Sequence, residues 1–229
     1  MNPGLEKLKP YPFERLRALT ASLEPANASP IALTIGEPQH ESPRIVIDAL
    51  HDALSGTNKY PATAGSDLLR QSIASWLIRR FKLATIDANK QILPVNGTRE
   101  ALFAIAQTLV TQGSLHRVIS PNPFYQIYEG AALLAGTSPR FIPADKTTRF
   151  LPDFSALTDA DWQQCELLYI CTPGNPSGAV IPEADLQTLI RLAQQHDFVI
   201  ASDECYSEIY PDEAHPPTGL LQAAAAMGN

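Results

Sequence analysis

Short apolar runs alternate with helical patterns along most of this 229-residue chain. Apolar runs of four or five residues predict strands, whereas longer amphipathic stretches predict helices. The expected strands are residues 92–95, 117–120, 140–143, 167–171 and 198–202, and the expected helices are residues 13–23, 43–54, 67–81, 98–110, 125–134 and 182–196. Such alternation is typical of a mainly parallel sheet covered by helices. We therefore expect an α/β fold.

The composition limits the kinds of partner that the chain can bind. With 45% hydrophobic and 18% charged residues the chain has an ordinary globular composition. Its net charge of −7 argues against nucleic acid and anionic membranes as partners, because both attract basic surfaces. No stretch approaches the ~18 apolar residues of a membrane span. We expect a soluble cytoplasmic protein whose ligand is a small molecule.

The cysteines and histidines do not predict a metal site. Cys165, Cys171 and Cys205 form no CxxC pair, and the odd number of cysteines suggests reduced thiols. No two of the five histidines are four positions apart, so the helical His pair of a zinc protease is missing.

Two segments that follow apolar runs carry polar groups to the ends of adjacent strands. Asn175 belongs to the first segment, and Asp203 and Tyr206 belong to the second. Ligands of open α/β sheets bind beyond the carboxyl ends of the strands, so these groups are expected to meet one small molecule. A desolvated carboxylate needs a partner, and a protonated heteroaromatic nitrogen would provide one. The alternative is that Asp203 caps the N-terminus of a following helix.

Two further segments have the residue types of a cofactor site. The turn at residues 96–100 precedes a helix, and a helix N-terminus favours a bound phosphate; the alternative is ordinary capping of that helix. Residues 123–128 follow the next strand and contain aromatic side chains that could lie on a planar ring. Phe124, Tyr125 and Tyr128 could equally be core or interface aromatics.

Six motifs, in this order, resemble those of the class I/II aminotransferases of fold type I, which depend on pyridoxal 5′-phosphate (PLP). The motifs are residues 33–38, 59–65, 96–101, 123–128, 172–178 and 202–206. The resemblance implies the aspartate aminotransferase-like fold of PLP-dependent transferases, whose large domain is a three-layer αβα sandwich with a mainly parallel sheet. It places an N-terminal arm and the start of a small domain in residues 1–55. The large PLP-binding domain would occupy residues 56–229 and be incomplete at its C-terminal end.

The resemblance also implies a role for each matching residue. Asp203 would pair with the pyridinium nitrogen of PLP, while Asn175 and Tyr206 would hydrogen-bond its O3′ atom. Tyr125 would stack on the ring. The remaining roles are a phosphate cradle at Gly97, Thr98 and Arg99, a contact from Tyr60 to the phosphate in the neighbouring subunit of a homodimer, and a place for Gly36 beside the substrate carboxylate.

The chain departs from the family in lacking its Schiff-base lysine, which normally follows the Asp-x-x-Tyr element inside a Ser-Lys motif. The later arginines that bind the cofactor phosphate and the substrate α-carboxylate are absent as well. None of the six lysines of the chain matches the family's position. Lysine provides both the covalent anchor and the general base, so we expect no catalytic residue and no transamination from this chain alone. We also expect strand 92–95 to be unpaired, which would leave apolar edges and low stability.

Several stretches look most like the proteobacterial N-succinyldiaminopimelate aminotransferases of lysine biosynthesis. These stretches are residues 36–40, 60–65 and 121–128. The resemblance implies amino-acid and 2-oxo-acid substrates, with transfer between glutamate and N-succinyl-2-amino-6-oxopimelate. One alternative is a broad aspartate, methionine or aromatic aminotransferase. Another is a truncated remnant that is not catalytic and that binds the phosphate weakly or contributes only to a dimer interface.

Overall fold

A computed structural model describes residues 1–24, 31, 36, 38–113 and 117–228. The chain divides into two compact units. The larger comprises Met1–Leu8 and Ala64–Asn229, and the smaller comprises Lys9–Thr63. The predicted division into residues 1–55 and 56–229 stays a prediction about the domains of a whole enzyme.

The larger unit is built on a sheet of four parallel strands. They are β1 (Val118–Asn122), β2 (Arg140–Pro143), β3 (Leu167–Cys171) and β4 (Val199–Asp203), in the spatial order β2-β1-β3-β4. The register places Cys171 opposite Asp203, so the last residues of β3 and β4 are neighbours. A parallel sheet confirms the α/β fold expected from the sequence.

Helices occupy most of the remaining sequence. The α-helices are α1 (Pro12–Thr20), α2 (Arg44–Ala53), α3 (Asp67–Phe81), α4 (Thr98–Leu109), α5 (Ile127–Leu134), α6 (Asp159–Gln164), α7 (Glu183–His196) and α8 (Leu220–Ala226). Short 3-10 helices lie at Pro3–Lys7, Leu54–Gly56, Lys146–Thr148 and Phe154–Ala156. The bounds of α3, β2 and β3 match the predictions. A side-chain cap at Ser66, which accepts a hydrogen bond from the Leu69 N–H at 3.2 Å, explains the sharp start of α3.

The sheet separates two apolar cores, which makes the larger unit three-layered. Because side chains alternate along a strand, Leu168 and Ile170 of β3 join a core with α6, α7 and α8. Leu167 and Tyr169 face the other way and pack with residues of α4 and α5. By the same alternation, Cys171 lies on the face of the sheet that α4 and α5 cover, together with Leu167 and Tyr169. Its register partner Asp203 is brought to the same face.

The connections reverse direction between β1 and β3. From β1 the chain proceeds through α5 to β2 on one side, whereas from β3 it proceeds through α7 to β4 on the other. In open parallel sheets this reversal opens a crevice at the carboxyl ends of the two strands. The loops that leave β1 and β3, and the end of β4 beside them, are therefore where a ligand is expected.

Three elements differ from the expectations. Residues 92–95 are not a strand, and among the described residues no strand pairs with them; Leu93 is 68% exposed. Without a neighbouring strand their backbone has no ladder to join. Helix α6 was not predicted, because its six residues are too few to show periodicity. Helix α8 was not predicted either, because its N-cap is Gly219, which offers no side-chain signal.

The N-terminal residues of the larger unit pack on α5. The Asn2 side-chain amide donates to the Leu134 carbonyl at 2.8 Å, at the C-terminal end of that helix. A Cβ on Gly4 would overlap the Leu133 carbonyl oxygen, so only glycine allows this close approach of two backbones.

The smaller unit has a different character. Its α1 and α2 lie close to the predicted helices 13–23 and 43–54, and every described residue between 9 and 63 is exposed. Apolar side chains of α2, such as Ile45 and Leu50, are among them. The described part of this unit therefore has no buried core of its own.

Within the described ranges, no helix has the length and apolar character needed to cross a membrane. The same residues contain no group of three or more His, Cys, Asp or Glu side chains that could hold a metal ion.

Candidate active site

A cavity of about 390 Å³ opens between the N-terminal half of α4 and the end of β4. Its walls are mostly apolar. The apolar lining residues are Ala101, Leu102, Ile105 and Ala201, and the polar ones are Thr98, Ser202, Asp203, Glu204 and Cys205. This volume lies within the range of ~300–1,000 Å³ that small-molecule sites occupy, and a few polar groups in an apolar wall are typical of such sites.

Asp203 is the buried acid of this cavity. The residue is 8% exposed, and its Oδ2 accepts a hydrogen bond from the Tyr128 hydroxyl at 2.7 Å. Its Oδ1 accepts from the backbone N–H of Cys205 at 3.3 Å. No helix begins after Asp203, since residues 205–208 form a turn, so the alternative of a helix N-cap is wrong.

Tyr128, which the sequence presented only as one of three aromatics, is fully buried beneath Asp203. Its ring stacks on Tyr169 with centroids 4.6 Å apart and an interplanar angle of 10°, and it meets the edge of Tyr125 at 5.9 Å. Burial, followed by the nearby Asp203 carboxylate, raises the pKa of Tyr128 far above its ordinary value. Tyr128 therefore remains a hydrogen-bond donor. The predicted helix 125–134 offered a signal that the two rings would be neighbours, because residues three apart share a helix face; in the structure Tyr125 precedes the first residue of α5.

The predicted phosphate cradle lies at the N-terminus of α4. Gly97 is the N-cap residue of this 12-residue helix and Thr98 is its first residue. The first turn of an α-helix presents backbone N–H groups without intrahelical partners, together with the positive end of the helix dipole. Thr98 Oγ1 also lies 3.7 Å from the thiol of Cys205, so the helix start is adjacent to the segment after β4.

Arg99 and Tyr125 form a pair beside this helix start. The Arg99 Nε donates to the Tyr125 hydroxyl at 2.6 Å, and its guanidinium lies 5.9 Å from the centre of that ring. The pair fixes the aromatic ring that follows β1 against the helix that carries Gly97 and Thr98.

Tyr206 and Asn175 approach the same region from the loops after β4 and β3. Partial burial raises the pKa of Tyr206, and the thiols of Cys171 and Cys205 with the Asp203 carboxylate raise it further. Cys171 is their common neighbour. Burial and the Asp203 carboxylate raise the pKa of its thiol to about 11, while a hydrogen bond from the Asn175 backbone opposes the rise.

The structure thus brings most of the predicted site residues together near the carboxyl ends of the strands. Thr98 and Asp203 line the main cavity, whereas Asn175 lines a smaller adjacent cavity with Cys171. Gly36 and Tyr60 belong to the smaller unit, where both are exposed, and their roles stay predictions. Residues 33–35 and 37 of the first motif lie outside the described residues.

The larger unit contains four lysines. They are Lys7, Lys82, Lys90 and Lys146. None of these four lines the cavity that contains Asp203.

Comparison with known proteins gives one consistent family. The model of the family "Aminotransferase class I and II" matches residues 28–227. Among curated proteins, the chain is 31% identical over 224 residues to an LL-diaminopimelate aminotransferase of Maridesulfovibrio salexigens, covering 97% of this chain and 57% of that protein. The enzyme of the same name from Aquifex aeolicus is 29% identical, with the same coverage. The chain therefore spans a little over half the length of these relatives.

Solved structures agree in fold. An aminotransferase from Neisseria meningitidis Z2491 superposes with a TM-score of 0.92 at 44% identity, covering 100% of this chain and 58% of that one. The aminotransferase AspB from Helicobacter pylori 26695 superposes with a TM-score of 0.88 at 38% identity, covering 97% and 57%.

Proposed function

We propose that this chain, which belongs to the class I and II aminotransferase family, forms one wall of the PLP site of an aminotransferase. The family depends on PLP. The observation that carries the proposal is the Asp203 carboxylate, 8% exposed at the end of β4, in a cavity that also contains the first residue of a 12-residue helix.

The chemistry of this cavity fits the cofactor. PLP has a planar ring, a ring nitrogen that can carry a proton and a phosphate. The apolar walls would accept the ring, the carboxylate would accept the protonated nitrogen, and the N-terminus of α4 would accept the phosphate. Residues suited to all three contacts line one cavity of about 390 Å³, which supports the proposal.

The proposed contacts combine this fit with the roles that the family resemblance implies. Asp203 faces the ring nitrogen, and Asn175 and Tyr206 donate to the O3′ atom. Tyr125 stacks on the ring, supported by its hydrogen bond from Arg99. Gly97, Thr98 and Arg99 cradle the phosphate. Gly36 lies beside the substrate carboxylate and Tyr60 reaches the phosphate of the neighbouring subunit in a homodimer.

Each residue contributes to the chemistry through charge or position. When bound, PLP withdraws electrons from the carbon that loses a proton in an amino-acid substrate. Asp203 supports this withdrawal by holding a proton on the ring nitrogen. Donation from Asn175 and Tyr206 stabilises negative charge on O3′.

The same cavity explains why we propose that the chain alone does not transaminate. A lysine would have to provide the covalent anchor and move the substrate proton, and no cavity-lining residue is a lysine. The test is to add equimolar PLP, reduce with borohydride and weigh the protein by mass spectrometry. We expect no stoichiometric adduct. A single lysine labelled in full would contradict this part of the proposal.

The cofactor site itself is tested with pyridoxamine 5′-phosphate, which has no aldehyde and binds only by non-covalent contacts. Calorimetric titration of the 229-residue chain is expected to show saturable binding at one site. Pyridoxamine without the phosphate should bind at least roughly tenfold more weakly, because the contacts at the α4 N-terminus are charge-assisted. Equal affinity for the two compounds, or no saturable binding, would contradict the proposal.

For the substrate we propose transfer between glutamate and N-succinyl-2-amino-6-oxopimelate, within diaminopimelate and lysine biosynthesis. The relatives named LL-diaminopimelate aminotransferase support a substrate from diaminopimelate biosynthesis. The sequences of residues 36–40, 60–65 and 121–128 support the succinylated substrate. Alternatives are an LL-diaminopimelate aminotransferase, a broad aspartate, methionine or aromatic aminotransferase, and a remnant that is not catalytic. The test uses a gene product that continues this chain to the length of its relatives, if one exists. Good turnover of aspartate without turnover of the succinylated oxo acid would refute our choice.

A further inference from the structure

The Tyr128 hydroxyl is a buried side-chain donor to the Asp203 carboxylate. It lies 2.7 Å from Oδ2, beneath the cavity rather than in its wall. The backbone N–H of Cys205 donates to Oδ1 at 3.3 Å. Both carboxylate oxygens thus accept a hydrogen bond from the protein.

The position of the Tyr128 hydroxyl is itself fixed by packing. The ring is 0% exposed and stacks on Tyr169, whose own hydroxyl donates to the Leu102 carbonyl at 2.5 Å. The edge contact with Tyr125 closes another side. A ring held on both sides cannot swing its hydroxyl away from Asp203 without opening the core between α4, α5 and the sheet.

The hydroxyl also remains protonated, because burial and the neighbouring Asp203 raise the pKa of Tyr128 well above its ordinary value. A charge-assisted hydrogen bond from a fixed donor is short and directional. A carboxylate oriented in this way has its remaining lone pairs available on the side of the cavity.

We propose that Tyr128 is a positioning residue, whose buried hydroxyl orients the Asp203 carboxylate toward the ring nitrogen of the cofactor. The inference rests on the proposed PLP site. It predicts that removing the hydroxyl weakens only those ligands that have a ring nitrogen for Asp203 to meet.

The test compares pyridoxamine 5′-phosphate with its 1-deaza analogue, in which a C–H group replaces the ring nitrogen. Both are titrated calorimetrically into the 229-residue chain and into its Tyr128→Phe variant. We expect Tyr128→Phe to weaken binding of pyridoxamine 5′-phosphate roughly tenfold, the usual effect of losing a hydrogen bond to a charged group. The affinity for the 1-deaza analogue should change by less than about twofold.

Tyr169→Phe is the matched control. It removes a phenol hydroxyl from the same stacked pair, but that hydroxyl binds the Leu102 carbonyl and not Asp203. We expect Tyr169→Phe to leave the ratio of the two affinities unchanged. In an Asp203→Asn background, Tyr128→Phe should have little further effect on that ratio, because the two residues act through one contact.

A second pair of variants tests the role of the hydroxyl even if Tyr128→Phe does not fold. Tyr128→4-methylphenylalanine fills the space of the hydroxyl without a donor, and Tyr128→4-aminophenylalanine restores an N–H donor there. We expect only the amino variant to recover the preference for the ring nitrogen. Equal preference in these two variants, or the same loss from Tyr169→Phe, would overturn the role of Tyr128.

The outcomes also separate this inference from the proposed function. If the unaltered chain binds pyridoxamine 5′-phosphate and prefers it over the 1-deaza analogue, the PLP site stands whatever Tyr128→Phe does. If the unaltered chain shows no such preference, the assignment of Asp203 fails, and the role of Tyr128 fails with it.

Discussion

Asp203 carries a carboxylate where little water reaches it, and the sequence already indicated that such a group needs partners. An unpaired buried polar group costs about 1–3 kcal/mol, and a charged group costs more. The partners that the structure provides include the Tyr128 hydroxyl and the Cys205 N–H. They satisfy only part of the acceptor capacity of the carboxylate, which has about four lone-pair sites. A protonated ring nitrogen in the cavity would complete it.

The three cysteines are expected to differ sharply in reactivity. Burial raises the pKa of Cys165 to about 12 and that of Cys171 to about 11, so at pH 8 very little of either thiol is ionised. Burial also raises the pKa of Cys205, but this residue alone of the three is exposed. A disulfide reagent at pH 8 should therefore modify one thiol in the native protein and all three after denaturation.

Peptide mapping should find the native label on Cys205, and Cys205→Ser should abolish the native reaction. Raising the pH should accelerate labelling, because more thiolate forms as the pH approaches a raised pKa. Labelling of Cys165 or Cys171 at the same rate as Cys205 would contradict the burial of those residues.

Among the elements, β4 is an edge strand of the described sheet, as is β2 at the opposite side. In the described part of the chain β4 pairs with β3 alone, and Val199 at its start is 41% exposed. Open strand edges promote association between chains, and a lysine on such an edge opposes it. We expect Val199→Lys to reduce concentration-dependent light scattering while leaving the circular dichroism spectrum unchanged.

Val180→Lys is the control, since Val180 is also 41% exposed but lies in a loop. Both variants change the net charge equally. If the two reduce scattering to the same extent, the edge of β4 is not the site of association.

The strands and helices could largely be predicted because their signals are local. The period of apolar residues indicated α3, α7 and the strands of the sheet. Residues 92–95 have the composition of a strand, but a strand exists only beside a partner, and that condition is not local. Helix α6 depends on a capping box at Thr158 and Asp161, a signal that its short length obscured.

At the scale of the whole molecule, burial is concentrated in the larger unit. Two apolar cores flank its sheet, whereas all described residues between 9 and 63 are exposed. Segments with few buried contacts open most readily and are cut first by proteases. Brief trypsin treatment should therefore cleave first after Arg15, Arg17, Arg44 or Lys59 and leave a fragment that resists further digestion.

Mass spectrometry of early time points identifies the order of cleavage. Initial cuts within the sheet-bearing part, for example after Arg140 or Arg191, would contradict this distribution of stability. The order of cleavage does not test the low overall stability expected for the isolated chain, which stays a separate prediction.

The candidate site was only partly predictable, because it assembles residues that are far apart in the sequence. The rule that ligands bind at strand ends directed attention to Asp203, which lines a cavity in the structure, and the turn at Gly97 indicated the adjoining helix start. Tyr128 was missed as a partner of Asp203, because the two residues are 75 positions apart in the sequence and meet only in the folded chain. The part of the cavity wall that α4 provides could not be predicted either, because it depends on how that helix lies on the sheet.

The central claim is that the carboxylate at the end of β4 holds the ring nitrogen of the cofactor. The most direct test is the affinity of pyridoxamine 5′-phosphate for the chain and for Asp203→Asn, measured by calorimetry. Asp161→Asn is the control, because that half-buried carboxylate caps α6 through Thr158. We predict binding roughly tenfold to a hundredfold weaker for Asp203→Asn and unchanged for Asp161→Asn. Equal affinities for the unaltered chain and Asp203→Asn would contradict the claim.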